Sequence, residues 1–240
     1  MKIDRLIALI CAPLALTALP GAAHAQDAAG DSEASPTWDL SGEVGVLTDY
    51  RFRGVSLSGK SPEVTASVSL AHQSGFYGSA WASNVELGSG KADDLEVDWT
   101  VGFSKDVGKI NLDVGGVYYS YLGNKALNYF EGYGSIGTKV GPADVKVGVA
   151  YAPAQDNIGG QDNTYVYVSG EVPLGKGPVS LHGTFGFENG AFGDHKKDWM
   201  VGLSADLGSG LTGSVDYVDT AHSLTSNGAP TAVASLKFGF

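Results

Sequence analysis

Cysteine is almost missing from these 240 residues: Cys11 stands alone, inside an apolar run near the start. A single thiol excludes a disulfide framework within the chain and any cluster of thiolate metal ligands. Long apolar runs are missing too, apart from Leu6 to Leu19. That run is short for a helix crossing about 30 Å of hydrocarbon, a task for roughly 20 residues. Lys2 and Arg5 precede it, and Pro20-Gly21 and the small triplet Ala23-His24-Ala25 follow it. This is the layout of a secretory signal peptide, residues 1–25, with cleavage expected after Ala25. Basic charge is scarce, with 15 Lys and Arg against 26 Asp and Glu. Lys2, Arg5 and Asp4 leave with the signal peptide, so 13 basic and 25 acidic residues remain, a net −12, and nucleic acid is not an expected partner.

What is abundant is glycine, 35 residues, in a chain that is 43% hydrophobic. Glycine weakens helices, and disorder requires low apolar content, so many tightly turned strands are the expected answer. Residues 26–37 carry no apolar periodicity and read as a flexible leader; residues 38–240 read as one folded unit. There the apolar side chains fall on alternate positions, the period of a strand with two unlike faces. Leu95, Val97, Trp99, Val101 and Phe103 alternate with Asp94, Glu96, Asp98, Thr100 and Gly102. Val44, Val46, Thr48, Tyr50 and Phe52 similarly oppose Glu43, Asp49, Arg51 and Arg53. Twelve such segments begin near Leu40, Glu63, Phe76, Asp94, Ile110, Tyr129, Ala143, Thr164, Val179, Trp199, Leu211 and Thr231. The segment from Phe76 to Val85 does not reveal which of its faces is the outer one.

Tight turns at Gln73-Ser74-Gly75, Asp106-Val107-Gly108, Gly141-Pro142, Gly175-Lys176-Gly177 and Gly208-Ser209-Gly210 alternate with longer polar loops. The loops lie near 54–62, 86–92, 122–128, 153–162, 189–197 and 221–230. An even strand count with short turns on one side and long loops on the other is the pattern of bacterial outer-membrane barrels. The expected fold is therefore all-β: an antiparallel up-and-down transmembrane β-barrel of about 12 strands, with short periplasmic turns and longer outer loops. Aromatic residues sort accordingly. Tyr50, Phe52, Tyr118, Tyr121, Tyr129, Phe130, Tyr151, Tyr165, Phe187, Trp199 and Tyr217 fall at outer ends, and Trp38, Phe76, Phe103, Phe238 and Phe240 at periplasmic ends. A soluble barrel would show the same alternation inverted, but the apolar faces carry no charge through their centres, as lipid contact demands.

The chain finishes Leu236-Lys237-Phe238-Gly239-Phe240, with apolar residues on one face up to the final Phe. Leu236, Phe238 and Phe240 resemble the insertion signal by which the barrel-assembly machinery recognises its clients. The stretch Leu47-Thr48-Asp49-Tyr50-Arg51-Phe52-Arg53-Gly54-Val55-Ser56 resembles the opening signature of the TorF family of outer-membrane porins. Gly75 to Val85, Glu96-Val97-Asp98, Tyr118-Tyr119 and Asn128 to Gly134 resemble later strands of the same family. The resemblance implies a location in the cell outer membrane and a pore; it supplies no substrate and no functional residue set.

With the apolar face toward lipid, the lumen receives Glu43, Asp49, Asp94, Glu96, Asp98, Asp113, Glu131, Asp144, Glu171, Glu188, Asp206 and Asp216, against Arg51, Arg53, Lys139, Lys146 and Lys237. Opposed charges set a transverse field, and the acidic excess predicts a modest cation preference. Arg51, Arg53, Asp49, Glu96, Asp98 and Glu131 are the candidate constriction. The expected partners are outer-membrane lipid and small hydrophilic solutes or ions, with no cofactor and no metal. The expected function is passive diffusion through a porin-like channel. Alternatives are a barrel whose charges pair in a plugged lumen, serving as a structural or receptor protein, and a membrane hydrolase. A hydrolase needs convergent nucleophile and base, whereas Ser180 and His182 lie about 7 Å apart on one strand face. His195, with Asp194 and Asp198, and His222 read as solvated loop residues. Asp156 and Asp162 miss the EF-hand spacing.

Overall fold

The computed structural model describes residues 37–240. The signal peptide and all of the leader but Thr37 lie outside the described residues. Twelve strands close into one antiparallel barrel. In chain order they are β1 (Trp38–Leu47), β4 (Glu63–His72), β5 (Phe76–Val85), β6 (Asp94–Val107), β7 (Ile110–Tyr121), β8 (Tyr129–Val140), β9 (Ala143–Ala152), β10 (Asn163–Pro173), β11 (Val179–Gly190), β12 (Gly193–Gly208), β13 (Leu211–Ala221) and β14 (Thr231–Gly239). Two short strands, β2 (Arg51–Phe52) and β3 (Val55–Ser56), make a small hairpin in the first long loop. Each barrel strand pairs with its neighbour in sequence, and β1 closes the ring against β14. Gly42 and Phe240 exchange both backbone hydrogen bonds, at 2.9 and 3.0 Å, and complete that seam. Closure matters because an unpaired backbone group in hydrocarbon costs several kcal/mol, by about the magnitude expected for any buried unsatisfied amide.

The alternation of the sequence becomes the inside and outside of the wall. On β6, Val101 is 70% exposed while Glu96 is 0% exposed. That difference puts the apolar set outward and the charged set in the interior. The same holds around the ring, with Leu40, Val44, Val114, Ile136, Val149, Val166, Leu203 and Val215 exposed on the outer wall. The uncertain face of β5 is settled: Phe76 is outward and Trp81 lines the interior. The predicted strand starts hold to within a few residues except on β12. There the expected loop 189–197 is largely strand, because β11 runs to Gly190 and β12 begins at Gly193, leaving a turn of Ala191 and Phe192.

The interior wall owes its shape to glycine as much as to its large residues. Tyr77 of β5 stands directly opposite Gly102 of β6, Tyr133 of β8 opposite Gly115 of β7, and Tyr167 of β10 opposite Gly148 of β9. Each ring lies across its glycine so closely that a Cβ there would collide with it. The rings cover backbone that a glycine leaves bare, and they lie along the wall instead of across the lumen.

Candidate functional site

The first long loop, residues 48–62, enters the barrel. Its strands β2 and β3 are joined by Arg53-Gly54, with φ of 44° and 82°. Positive φ at both central positions is the mark of a type I′ hairpin turn. Gly54 suits its place for a second reason: a Cβ there would strike Thr220 and Asp198 on the facing wall. Tyr50, Phe52, Val55 and Leu57 are buried. Tyr50, Phe52 and Leu57 pack with Val85, Tyr119, Tyr121, Tyr129 and Phe192 in an apolar cluster inside the outer half of the barrel. This corrects the sequence reading. Tyr50 and Phe52 are not on the lipid face, and Tyr121, Tyr129 and Tyr165 point inward, whereas Tyr118, Phe130, Tyr151 and Tyr217 stay on the outer surface. The β1 ladder ends at Leu47, so the alternation of 48–53 belongs to the inward hairpin.

The hairpin tip is fastened by charge. Arg53 donates to Glu131 of β8 at 2.6 Å and to Glu188 of β11 at 2.7 Å, two walls that its fork bridges at once. Its guanidinium lies over the rings of Phe52 and Tyr165, 4.4 and 4.3 Å from their centroids. Burial alone would lower the Arg53 pKa, but the Glu131 and Glu188 carboxylates outweigh it and hold the pKa above the ordinary arginine value. Lys196 of β12 donates to the Arg53 carbonyl at 2.6 Å and pairs with Glu188 at 2.7 Å. Tyr50 donates its hydroxyl to Glu96 at 3.2 Å, and burial, then Glu96, push its phenol pKa up.

Of the predicted constriction, Arg53 and Glu131 therefore meet directly, and Glu96 is reached through Tyr50. Asp98 is buried beside Glu96 on the same face of β6. Asp49 and Arg51 form a separate brace within the loop: Arg51 Nε donates to Asp49 at 2.6 Å, and Ser56 and Ser58 donate to the other Asp49 oxygen at 2.6 and 3.2 Å. Arg51 also donates to the carbonyls of Asn227 and Ala229, both at 2.9 Å, tying the hairpin to the loop between β13 and β14. Leu236 and Phe238 lie on the exposed outer face of β14, and Phe240, one residue past its end, is exposed as well.

Sequence reasoning missed Glu63, Lys196 and Asp198 as interior charges. The signal was present for the last two: stepping back from Val201 by twos gives Trp199 and Lys197 outside, hence Asp198 and Lys196 inside. Glycines at 190 and 193 obscured it by imitating a loop. Beneath the hairpin lies a chamber of about 290 Å³, bounded by Asp49, Tyr50, Glu63, Trp81, Asp198 and Lys237 among others. At the chamber's edge, His182 Nε2 meets Asp216 Oδ1 at 2.7 Å while Ser214 donates to Asp216 Oδ2 at 2.9 Å. Hydroxyl and imidazole thus sit on opposite oxygens of one carboxylate, unlike a triad, in which the imidazole takes the serine proton.

A family model described as "Bacterial protein of unknown function (Gcw_chp)" matches residues 31–237. The chain belongs to the Gcw_chp family. A search of curated proteins gave no match in sequence. Among solved structures, this Gcw_chp barrel resembles the KdgM porin, with TM-score 0.59 and 10% identity over 83% of this chain and 99% of that one. It resembles the NanC porin with TM-score 0.54 and 11% identity, over 84% of this chain and 98% of that one. The COG4313 outer membrane channel from Pseudomonas putida F1 gives 0.50 and 12%, over 89% and 99%. At these identities the likeness is one of fold, and the fold is that of outer-membrane porins and channels.

Proposed function

We propose that this Gcw_chp protein is an outer-membrane porin-like channel for passive diffusion of small hydrophilic solutes, with a modest preference for cations. The observation that carries this reading is the wall itself: a closed barrel, apolar and charge-free across its outer middle, around an interior rich in acidic side chains. Such a surface is at home in lipid, and a polar lumen gives water and ions a path. The inward hairpin narrows that path from the outer side, so the constriction is made by Arg53, Glu131 and Glu188, with Asp49, Arg51, Glu96 and Asp98 around it. Export through residues 1–25 and recognition of Phe240 by the assembly machinery fit the same reading, as does the likeness of 47–56 to TorF-family porins.

A second reading is favoured by one observation: Arg53, Glu131, Glu188 and Lys196 are fully or almost fully buried. Ions paired so dryly can seal a lumen, which would make the barrel a structural or receptor protein. Single-channel recording in planar bilayers under a KCl gradient separates the two. Discrete steps with a reversal potential favouring potassium support the proposed channel; steps favouring chloride remove the cation preference. Silence from verified folded barrels replaces the channel with the sealed barrel.

A further inference from the structure

Seven acidic residues, Asp49, Glu63, Glu96, Asp98, Glu131, Glu188 and Asp198, are buried in the described interior, where the basic partners are Arg51, Arg53 and Lys196. Charges taken out of water need neutralisation by a partner, a proton or a bound ion. The basic groups are already engaged: Arg51 on Asp49, Arg53 on Glu131 and Glu188, and Lys196 on Glu188. Lys237, which also borders the chamber under the hairpin, is paired with Glu43 at 3.1 Å.

Among the chamber's carboxylates, Glu63 differs from the rest. Asp49 has Arg51, Asp198 has the Tyr165 hydroxyl at 3.0 Å, and Asp216 has His182 and Ser214. Glu63 is 2% exposed, and neither of its oxygens accepts a hydrogen bond of ordinary geometry among the described residues. Ser83 lies beside it but directs its hydroxyl to the Asn84 carbonyl at 3.1 Å. A buried carboxyl with both oxygens unused, facing a cavity of about 290 Å³, is open to neutralisation by a proton or by a cation that enters the cavity. Aromatic surface borders the same cavity: Tyr50 and Trp81, with ring centroids 5.3 Å apart, and Tyr167. Aromatic faces attract weakly hydrated cations, and organic ammonium ions more than strongly hydrated metal ions.

We propose that this chamber is a binding site for a small organic ammonium ion, with Glu63 as its counter-charge and Trp81 with Tyr50 as its apolar wall. The proposal rests on the channel reading in one respect, that solute in water can reach the chamber. It deepens the cation preference from a diffuse field to a saturable site.

The test is calorimetric titration of tetramethylammonium chloride into the folded barrel in non-ionic detergent, with sodium chloride as the comparison. The expected result is a single saturable site for tetramethylammonium, weakened at least tenfold by Glu63→Gln. No saturable binding by the native barrel, or equal affinity after Glu63→Gln, overturns the proposal. Equal Glu63-dependent affinity for sodium overturns the organic class. If Glu63→Gln does not fold, Trp81→Leu keeps the carboxylate and is expected to weaken binding several-fold; unchanged affinity overturns the aromatic wall. Bilayer recordings on the same sample keep the two ideas apart. Current without the site sinks the site alone, whereas binding by a silent barrel keeps the site and sinks the channel.

Discussion

The outer and periplasmic halves of the barrel interior use the same chemistry in opposite surroundings. In the outer half, Arg53 meets Glu131 with side chains only 2% and 0% exposed; toward the periplasmic end, Lys139 meets Asp144 at a similar distance with side chains 74% and 61% exposed. Lys237 with Glu43 lies between these extremes. Distance therefore does not distinguish these pairs; water does. An exposed pair in high dielectric is worth less than about 1 kcal/mol, whereas removing one member of a buried pair strands its partner at about 3 to 5 kcal/mol. The outer half fastens its loop to the wall through buried pairs, and the pair toward the periplasmic end stands in solvent.

Arg53→Ala should break this contrast most severely, lowering stability by about 3 to 5 kcal/mol because Glu131 and Glu188 both lose their bridge. Denaturant titration in lipid vesicles, read by the mobility difference between folded and unfolded barrel, is the check. An unchanged midpoint would mean that the two halves are energetically alike. Adding Glu131→Gln to Arg53→Ala should recover part of the loss, since Glu131 is then the stranded charge while Glu188 keeps Lys196 at 2.7 Å. Val101→Arg places a charge on the outer wall, where neither water nor a partner meets it, and should cost about 2 to 4 kcal/mol near mid-depth. A shift under half of that would place Val101 close to a membrane surface. Asp49→Asn should cost about 1.5 to 3 kcal/mol by weakening the charge-assisted bonds to Arg51, Ser56 and Ser58; greater protease cleavage within 48–62 would mark the loosened hairpin. Lys139→Ala should shift the same denaturation midpoint by less than about 1 kcal/mol, and a larger shift would erase the contrast from the other side.

The barrel was legible in the sequence because its signal is local and repeated: alternating side chains, glycine-bearing turns and loops of alternating length. The site was legible only in its residue types. Asp49, Tyr50, Arg51 and Phe52 continue the alternation of β1 so smoothly that nothing local separates a taller strand from a hairpin folded inward. The distinction depends on where the ladder stops, and Leu47 stops it through its partners on β4 and β14, far away in sequence. The turn at Arg53-Gly54 gives half a signal, since glycine predicts positive φ but an arginine in that region does not announce itself. Lys196 shows the converse error, in which two glycines looked like a loop and masked an alternation that ran unbroken beneath them.

The tyrosines laid over glycines along the inner wall give the bore an adjustable calibre. Each pair works as a shim whose two halves can be changed separately. Shaving Tyr167 to serine would widen the interior without touching the strand ladder, while a methyl group at Gly148 would prise the ring off the wall and narrow it. A barrel on this twelve-stranded frame can therefore change its interior width without altering a strand, a loop or a charge.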